Sequence, residues 1–320
     1  MTESSRAADS SHAPRVGVII PCYKMADFIR STVESLLAQD WPHWEAVVVD
    51  DGSPDDTREP IADLLDSDSR LRYVRKANGG VSSARNYGFR EVSNDVSYIL
   101  FLDGDDVLTP SALRRMVETL EAHPQAGMVH CEPSFVDEDG RTVSDVLWSP
   151  RWAWGPRILP SDEPVTPFES VYTLAGLIPS LTLIRRTIYE QTPGWDESFG
   201  HVCEDTDIFL QVALRSEVRY LPEKLVLHRR HSGQSTADLS HIADQEEKLY
   251  TKWSRMAGLT LAQRELIARS EWFRTGPLAA RKGFDEAKRY LRDGEMRAAL
   301  RFFRGALRKK LRSVFVRPGS

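Results

Sequence analysis

The chain has 320 residues, 41% hydrophobic and 28% charged, enough for one large α/β core with a smaller appended region. No apolar run approaches the ~18 residues that span a bilayer; Val16–Ile20 and Tyr98–Leu102 are strand-sized. The net charge of −5 conceals an asymmetry: 296–320 holds eight Lys and Arg and no acid, which leaves −13 on the rest and argues against nucleic acid as the main partner. Residues 1–14 are Ser- and Ala-rich with no apolar segment, and read as a disordered leader rather than a signal peptide. Cys22, Cys131 and Cys203 are odd in number and widely spaced, against a disulfide framework or a zinc site, with the cytoplasm as the default compartment.

Strand and helix signals alternate through the first 130 residues. The spacing predicts strands at 16–20, 45–49, 71–74, 97–102 and 127–131, and helices at 26–38, 57–65, 82–91 and 110–122. This alternation implies βαβ units and a mostly parallel sheet, whose ligand crevice lies beyond the strands' carboxyl ends. A Pro- and Trp-rich stretch, 137–167, follows, with Trp148, Trp152 and Trp154 either stacking on sugar rings as a lid or anchoring a loop. Beyond it the pattern predicts a strand at 178–184, a helix at 205–214 and one or two strands in 218–228. From 240 onward the signal is helical, with a hairpin over 286–311. We divide the chain into the leader, an α/β domain over 15–236 and a helical region over 237–320.

Five clusters carry candidate chemistry. Asp50-Asp51-Gly52-Ser53 closes a strand, where Asp51 could accept a nucleobase N–H, although the same four residues also make a good turn and cap. Asp103-Gly104-Asp105-Asp106 places three carboxylates in four residues at another strand end. Their mutual repulsion calls for hydrogen bonds or a cation, and Mg²⁺ or Mn²⁺ with a diphosphate is the functional alternative to a solvated acidic turn. Asn78-Gly79-Gly80 runs into a helix bearing Arg85, an arrangement that suits a diphosphate. Glu204-Asp205 opens a helix, where Asp205 is either a cap or a general base. In His228-Arg229-Arg230-His231, Arg230 could face phosphate and His231 could complete a metal shell.

In this order the motifs resemble the family 2 glycosyltransferases: Pro21-Cys22-Tyr23, Asp50-Asp51-Gly52-Ser53, Asn78-Gly79-Gly80 with Ala84-Arg85-Asn86, Asp103-Gly104-Asp105-Asp106, Gly194-Trp195-Asp196-Glu197, Glu204-Asp205 and His231, over about 15–236. The resemblance implies a GT-A fold, a nucleotide-sugar donor (a UDP-sugar in the first instance) and an inverting displacement assisted by Mg²⁺ or Mn²⁺. It implies that Pro21 and Tyr23 line the nucleoside pocket and that Asp51 contacts the base; with the readings above, Asn78, Arg85, Asp103 and Arg230 complete the donor-binding residues. It further makes Asp103, Asp105 and His231 the metal residues, supported by Asp106, with Trp195, Asp196 and Glu204 at the acceptor and Asp205 the base. The acceptor would be a saccharide or lipid-linked saccharide of a cell-surface polysaccharide or glycolipid pathway.

Lys24 stands where the family usually has Asn, which leaves the base preference open. The Gln-x-x-Arg-Trp signature of processive members is absent, so the resemblance implies one sugar per acceptor. Two competing readings remain: a sugar nucleotidyltransferase, disfavoured by the lack of a Gly-rich triphosphate loop on the first strand, and a non-catalytic donor-binding scaffold. The basic tail repeats apolar Met296, Leu300, Phe303, Leu307, Leu311 and Val314 at three- and four-residue steps. It is either a helix packed on the preceding hairpin with a solvated basic face, or a peripheral contact with anionic lipid at the inner face of the membrane.

Overall fold

The computed structural model describes 13–143, 165–166, Phe168, Val171, 177–200, 202–231 and 242–267, together with Lys288, Arg292, Met296, Leu300, Phe303, Arg304 and Leu307. The leader expected over most of 1–14 and Trp148, Trp152 and Trp154 lie outside the described residues. The chain forms two compact units: one holds Met1–Trp148 with Arg157–Ser232, the other Ser149–Pro156 with Gly233–Ser320.

The first unit is built on an eight-stranded sheet. Its strands are β1 (Val16–Cys22), β2 (Trp44–Asp50), β3 (Leu71–Arg75), β4 (Tyr98–Phe101), β5 (Val107–Leu108), β6 (Ala126–Val136), β7 (Thr182–Arg185) and β8 (Glu217–Arg229), in the order β3-β2-β1-β4-β7-β6-β8-β5. Every residue of β1 and β2 is buried, as the Val- and Ile-rich runs require of strands covered on both faces. β1 pairs in parallel with β2, from Val16 against Trp44 to Cys22 against Asp50, and with β4 on its other side. Four helices belong to the same half of the chain: α1 (Ile29–Leu37), α2 (Ala62–Ser67), α3 (Val81–Glu91) and α4 (Ala112–Ala122). α4 buries Leu113, Met116, Val117 and Leu120, an i, i+3, i+4, i+7 stripe.

The structure corrects several predicted bounds. The expected strand 178–184 begins only at Thr182, because Pro179–Leu181 forms a 3₁₀ turn. The helix expected over 57–65 is a 3₁₀ turn at Glu59–Ile61 followed by α2. β6 continues five residues past the expected 131, and 218–228 forms a single long strand.

β7 is the element that mixes the sheet, since it runs antiparallel to both β4 and β6. β6 and β8 pair in parallel. β6 and β8 therefore run the same way as β1, β2 and β4, and the carboxyl ends of all five open on one edge. The strand order also departs in opposite directions from β1 through β2 and β4, the switch point at which open α/β sheets bind ligands.

In the second unit, α6 (Ile242–Ser254) buries Leu249 and Trp253. In the first unit, α5 (Glu204–Ala213) opens on the acidic pair Glu204-Asp205.

Candidate active site

Two acidic turns leave the carboxyl edge of the sheet. After β2, Asp51 donates its amide to the Cys22 carbonyl at 2.9 Å, tying the turn to the end of β1. Its buried carboxylate accepts the Gly79 amide at 3.0 and 3.1 Å and the Gly80 amide at 2.7 Å, and pairs with Lys76 at 2.5 Å. Gly52 has φ of 71°, and a Cβ there would meet the Asn78 nitrogen at 2.9 Å. Only glycine lets the β2 turn and the Asn78 loop lie this close. Asn78 and Tyr23 are exposed on this side, and Pro21 is buried beneath them. Asp50 points inward instead: burial pushes its pKa up, but the Tyr73 hydroxyl and the Ser53 amide outweigh that and leave it below the ordinary carboxylate value.

The second turn follows β4. The Asp103 amide donates to Ser180 Oγ at 3.0 Å, so the Pro179–Leu181 turn props it from the neighbouring strand. Thr32 of α1 donates its hydroxyl to the Gly104 carbonyl at 3.0 Å. A Cβ on Gly104 would lie 3.0 Å from Cys22 Sγ, which explains a glycine between the two aspartates.

β8 delivers its end to the same turn. His231 Nε2 lies 2.9 Å from Asp105 Oδ2, and His228 Nδ1 lies 2.9 Å from Asp106 Oδ1. Burial opposes charge on His228, yet the Asp106 carboxylate outweighs it and raises the imidazole pKa. Between them, Arg229 is a buried clamp. Its guanidinium donates to the Asp105 carbonyl at 3.1 Å, the Glu138 carbonyl at 2.8 Å and Ser31 Oγ at 3.2 Å. It also lies over the Phe28 ring, and Phe28 in turn contacts the His231 ring at 4.5 Å. Arg230 is half-buried over Phe135, and burial lowers its pKa.

Arg85 of α3 joins the acidic turn to the acidic helix start. Only 3% exposed, it donates to Asp103 Oδ1 at 2.8 Å and Glu204 Oε1 at 3.3 Å, with its guanidinium 4.2 Å from the Trp195 ring centroid. Burial disfavours its charge, and Asp103 with Glu204 more than restores it. Arg85 thus bridges the two acidic segments, and its Nε has no hydrogen-bond partner. Asn86 makes a parallel link, pairing with both backbone groups of Trp195 and with Glu197.

Trp195 is itself 2% exposed, packed edge-on against Phe101, and Asp196 turns its carboxylate to Ser198. Cys203, just before α5, adopts a left-handed φ of 73°. Such strain in a non-glycine residue costs ~1–3 kcal/mol and is usually held where function requires it. Glu204 is buried, with Oε2 lacking a hydrogen-bond partner; burial and then the adjacent Asp205 charge push its pKa up to about 7, with Arg85 opposing. Asp205 Oδ1 accepts the Thr206 amide at 2.6 Å.

The sequence reading missed Ser180, Lys76, Phe28 and the clamp role of Arg229. Arg229 stood in a recognised cluster, but its partners come from distant segments. A separate cleft lined by Arg15, Trp44, Arg70, Tyr98, Arg185 and Arg186 lies where the strands begin. Its arginines are largely spent on neighbours such as Glu45 and Asp68, and the acidic turns lie at the other edge.

Among the described residues no three His, Cys, Asp or Glu side chains already form a metal cage. The donor chemistry nevertheless fits a hard divalent cation. Asp105 and His231 already meet edge to edge with Asp103 in the same turn, and Mg²⁺ or Mn²⁺ usually takes its remaining ligands from a diphosphate and water.

Residues 17–192 match the family described as glycosyl transferase family 2. Over 129 residues the chain is 37% identical to the glycosyltransferase EpsJ of Bacillus subtilis, covering 40% of this chain and 37% of that protein. Over 244 residues it is 28% identical to the glycosyltransferase RT0329 of Rickettsia typhi, covering 76% and 72%. Among solved structures, TarS of S. aureus in complex with UDP-GlcNAc superposes with a TM-score of 0.65 at 16% identity, over 92% of both chains. The mannosyltransferase PcManGT of Pyrobaculum calidifontis, in complex with GDP-Man and Mn²⁺, gives 0.58 at 18% identity, over 93% of this chain and 87% of that one. The fold is GT-A, and the chain belongs to glycosyl transferase family 2.

Proposed function

We propose that this chain is an inverting glycosyltransferase that moves one sugar from a nucleotide-sugar to an acceptor hydroxyl, in cell-surface polysaccharide or glycolipid synthesis. The observation that carries the reading is the buried Arg85 bridge, which draws the Asp103 turn and the Glu204-Asp205 helix start to one guanidinium. Carboxylates far apart in sequence are thereby gathered around one guanidinium.

In this reading Pro21, Tyr23, Asp51 and Asn78 receive the nucleoside. A UDP-sugar is the first donor to test, since TarS is seen with UDP and UDP-GlcNAc, with GDP-sugars next after PcManGT. Asp103, Asp105 and His231 would hold Mg²⁺ or Mn²⁺. When bound, such a cation offsets the charge that grows on a departing nucleoside diphosphate. Arg230 flanks the diphosphate, and Arg85 holds Asp103 in place from beneath. Asp205 takes the proton from the acceptor hydroxyl as it attacks the anomeric carbon, a contribution of ~10²–10⁴-fold. Glu204, Trp195 and Asp196 shape the acceptor side, Trp195 from below the surface.

All three cysteines are buried and none forms a disulfide, and among the described residues no helix is long and apolar enough to cross a membrane. Asp205→Asn tests the assignment. Transfer should fall by roughly 10²-fold or more with donor affinity unchanged. Full activity in that variant removes Asp205 as the base, and donor binding without turnover in the parent leaves only a binding protein.

A further inference from the structure

The second unit carries a surface that sugar transfer does not explain. Large hydrophobic side chains are exposed at only six described positions, and four of them, Met296 (60%), Leu300 (48%), Phe303 (48%) and Leu307 (42%), fall in one helical run. Their spacing of four, three and four residues puts them on a single helix face. A solvated helix would not ordinarily concentrate its exposed apolar groups in this way.

The charge is as ordered as the apolar row. Each apolar residue is followed directly by an arginine: Met296-Arg297, Leu300-Arg301, Phe303-Arg304, Leu307-Arg308 and Leu311-Arg312. At about 100° per residue a helical register sets the arginine row immediately beside the apolar row. Lys309 and Lys310 add positive charge outside that row, and 296–320 contains no acid. An apolar face bordered by long basic side chains matches a lipid surface. The apolar groups enter the acyl boundary while arginine stems lie along it and their heads reach anionic headgroups. Nucleic acid would use the arginines but leave the apolar row in water. Among the described residues of the row, Met296, Leu300, Phe303 and Leu307 are 42–60% exposed.

We infer that 296–312 is a peripheral attachment helix for an anionic lipid bilayer. The inference stands apart from the proposed sugar transfer, because neither row includes a residue of the crevice.

The test is flotation of the full chain with vesicles of phosphatidylcholine alone or with phosphatidylglycerol added. Two full-length variants accompany it. Leu300→Glu, Phe303→Glu and Leu307→Glu together alter the apolar row, and Arg297→Gln, Arg301→Gln, Arg304→Gln and Arg308→Gln together alter the basic row. The parent should float with the anionic vesicles at least about tenfold more than with the neutral ones, and less as salt is raised. Each variant should lose most of that binding while keeping the parental melting temperature and its transfer rate on a water-soluble acceptor. A parent that ignores anionic vesicles, or variants that float as the parent does, overturns the inference. Sedimentation supplies the other arm: a parent dimer dissolved by the apolar-row variant, without vesicle binding, reassigns the face to a second copy of this chain.

Discussion

At the scale of single residues, the centre of the site is a charge balance. Arg85 is nearly inaccessible and serves Asp103 and Glu204, while Asp205 adds a third acid close by. One cation among three carboxylates leaves the cluster short of positive charge, and burial puts the shortfall on Glu204, whose pKa rises to about 7 from 4.5. The consequence for stability has a definite sign. Below about pH 4.5 Glu204 is protonated in both folded and unfolded chains, and above about 7 it is ionised in both. Between these values the folded chain keeps a proton that the unfolded chain releases, so stability falls as pH rises through the window. Glu204→Gln cannot ionise and lacks this slope. Melting temperatures measured from pH 4.5 to 7.5 should therefore show the variant gaining on the parent as pH rises; parallel curves would refute the assignment. Removing Arg85 instead would leave buried carboxylates unpaired, a loss of ~3–5 kcal/mol, so that variant reports folding before chemistry.

At the scale of elements, α3 and β8 do most of the positioning. α3 lies against β1 and β2, and its Gly88 sits where a Cβ would press on Ile19 Cγ2 and stand 3.0 Å from Val49 Cγ2. The helix thus approaches the strands as closely as a backbone allows, which brings Arg85 and Asn86 to their partners one turn earlier. Gly88→Ala should overpack this contact and cost ~1–3 kcal/mol, read as a lower midpoint in urea at unchanged slope. An unchanged midpoint would mean that the helix can retreat without penalty. β8 acts through length: its thirteen residues run along β6, with register shifts near Gly127, Cys131 and Pro133, and carry His228, Arg229 and the following His231 to the far edge of the sheet. The local pattern showed a strand in 218–228 but not that it ran unbroken. Pro222 lies within the strand although it lacks an amide donor for a ladder hydrogen bond. β5 escaped notice because two residues carry no periodicity, and its pairing with β8 exists only once the chain has folded.

At the scale of the whole chain, the proposed function makes donor binding a property of the folded state alone, which links function to stability by mass action. A donor at ~100 times its Kd should add about 2.7 kcal/mol. Screening UDP-, GDP- and dTDP-sugars with and without Mn²⁺ should give an upward thermal shift for one base, larger with the cation. No shift for any of them would remove the donor assignment.

Much of the architecture was legible in the residues: the alternation of apolar strands with amphipathic helices, the acidic turns at the ends of β2 and β4, and the order of motifs that marks the family. These follow from local rules of burial and periodicity, which act over a few neighbours. What the folded chain alone decided was how each charge is used. Asp50 and Asp51 are adjacent, yet Tyr73 takes the first and Lys76 with Gly79 and Gly80 takes the second. Arg85 bridges Asp103 and Glu204, 18 and 119 residues away, which no local pattern shows. The orientation of β7, which turns β6 and β8 back toward the crevice, was likewise out of reach. Strand direction is set by pairing between distant segments, and no stretch of sequence carries that information locally.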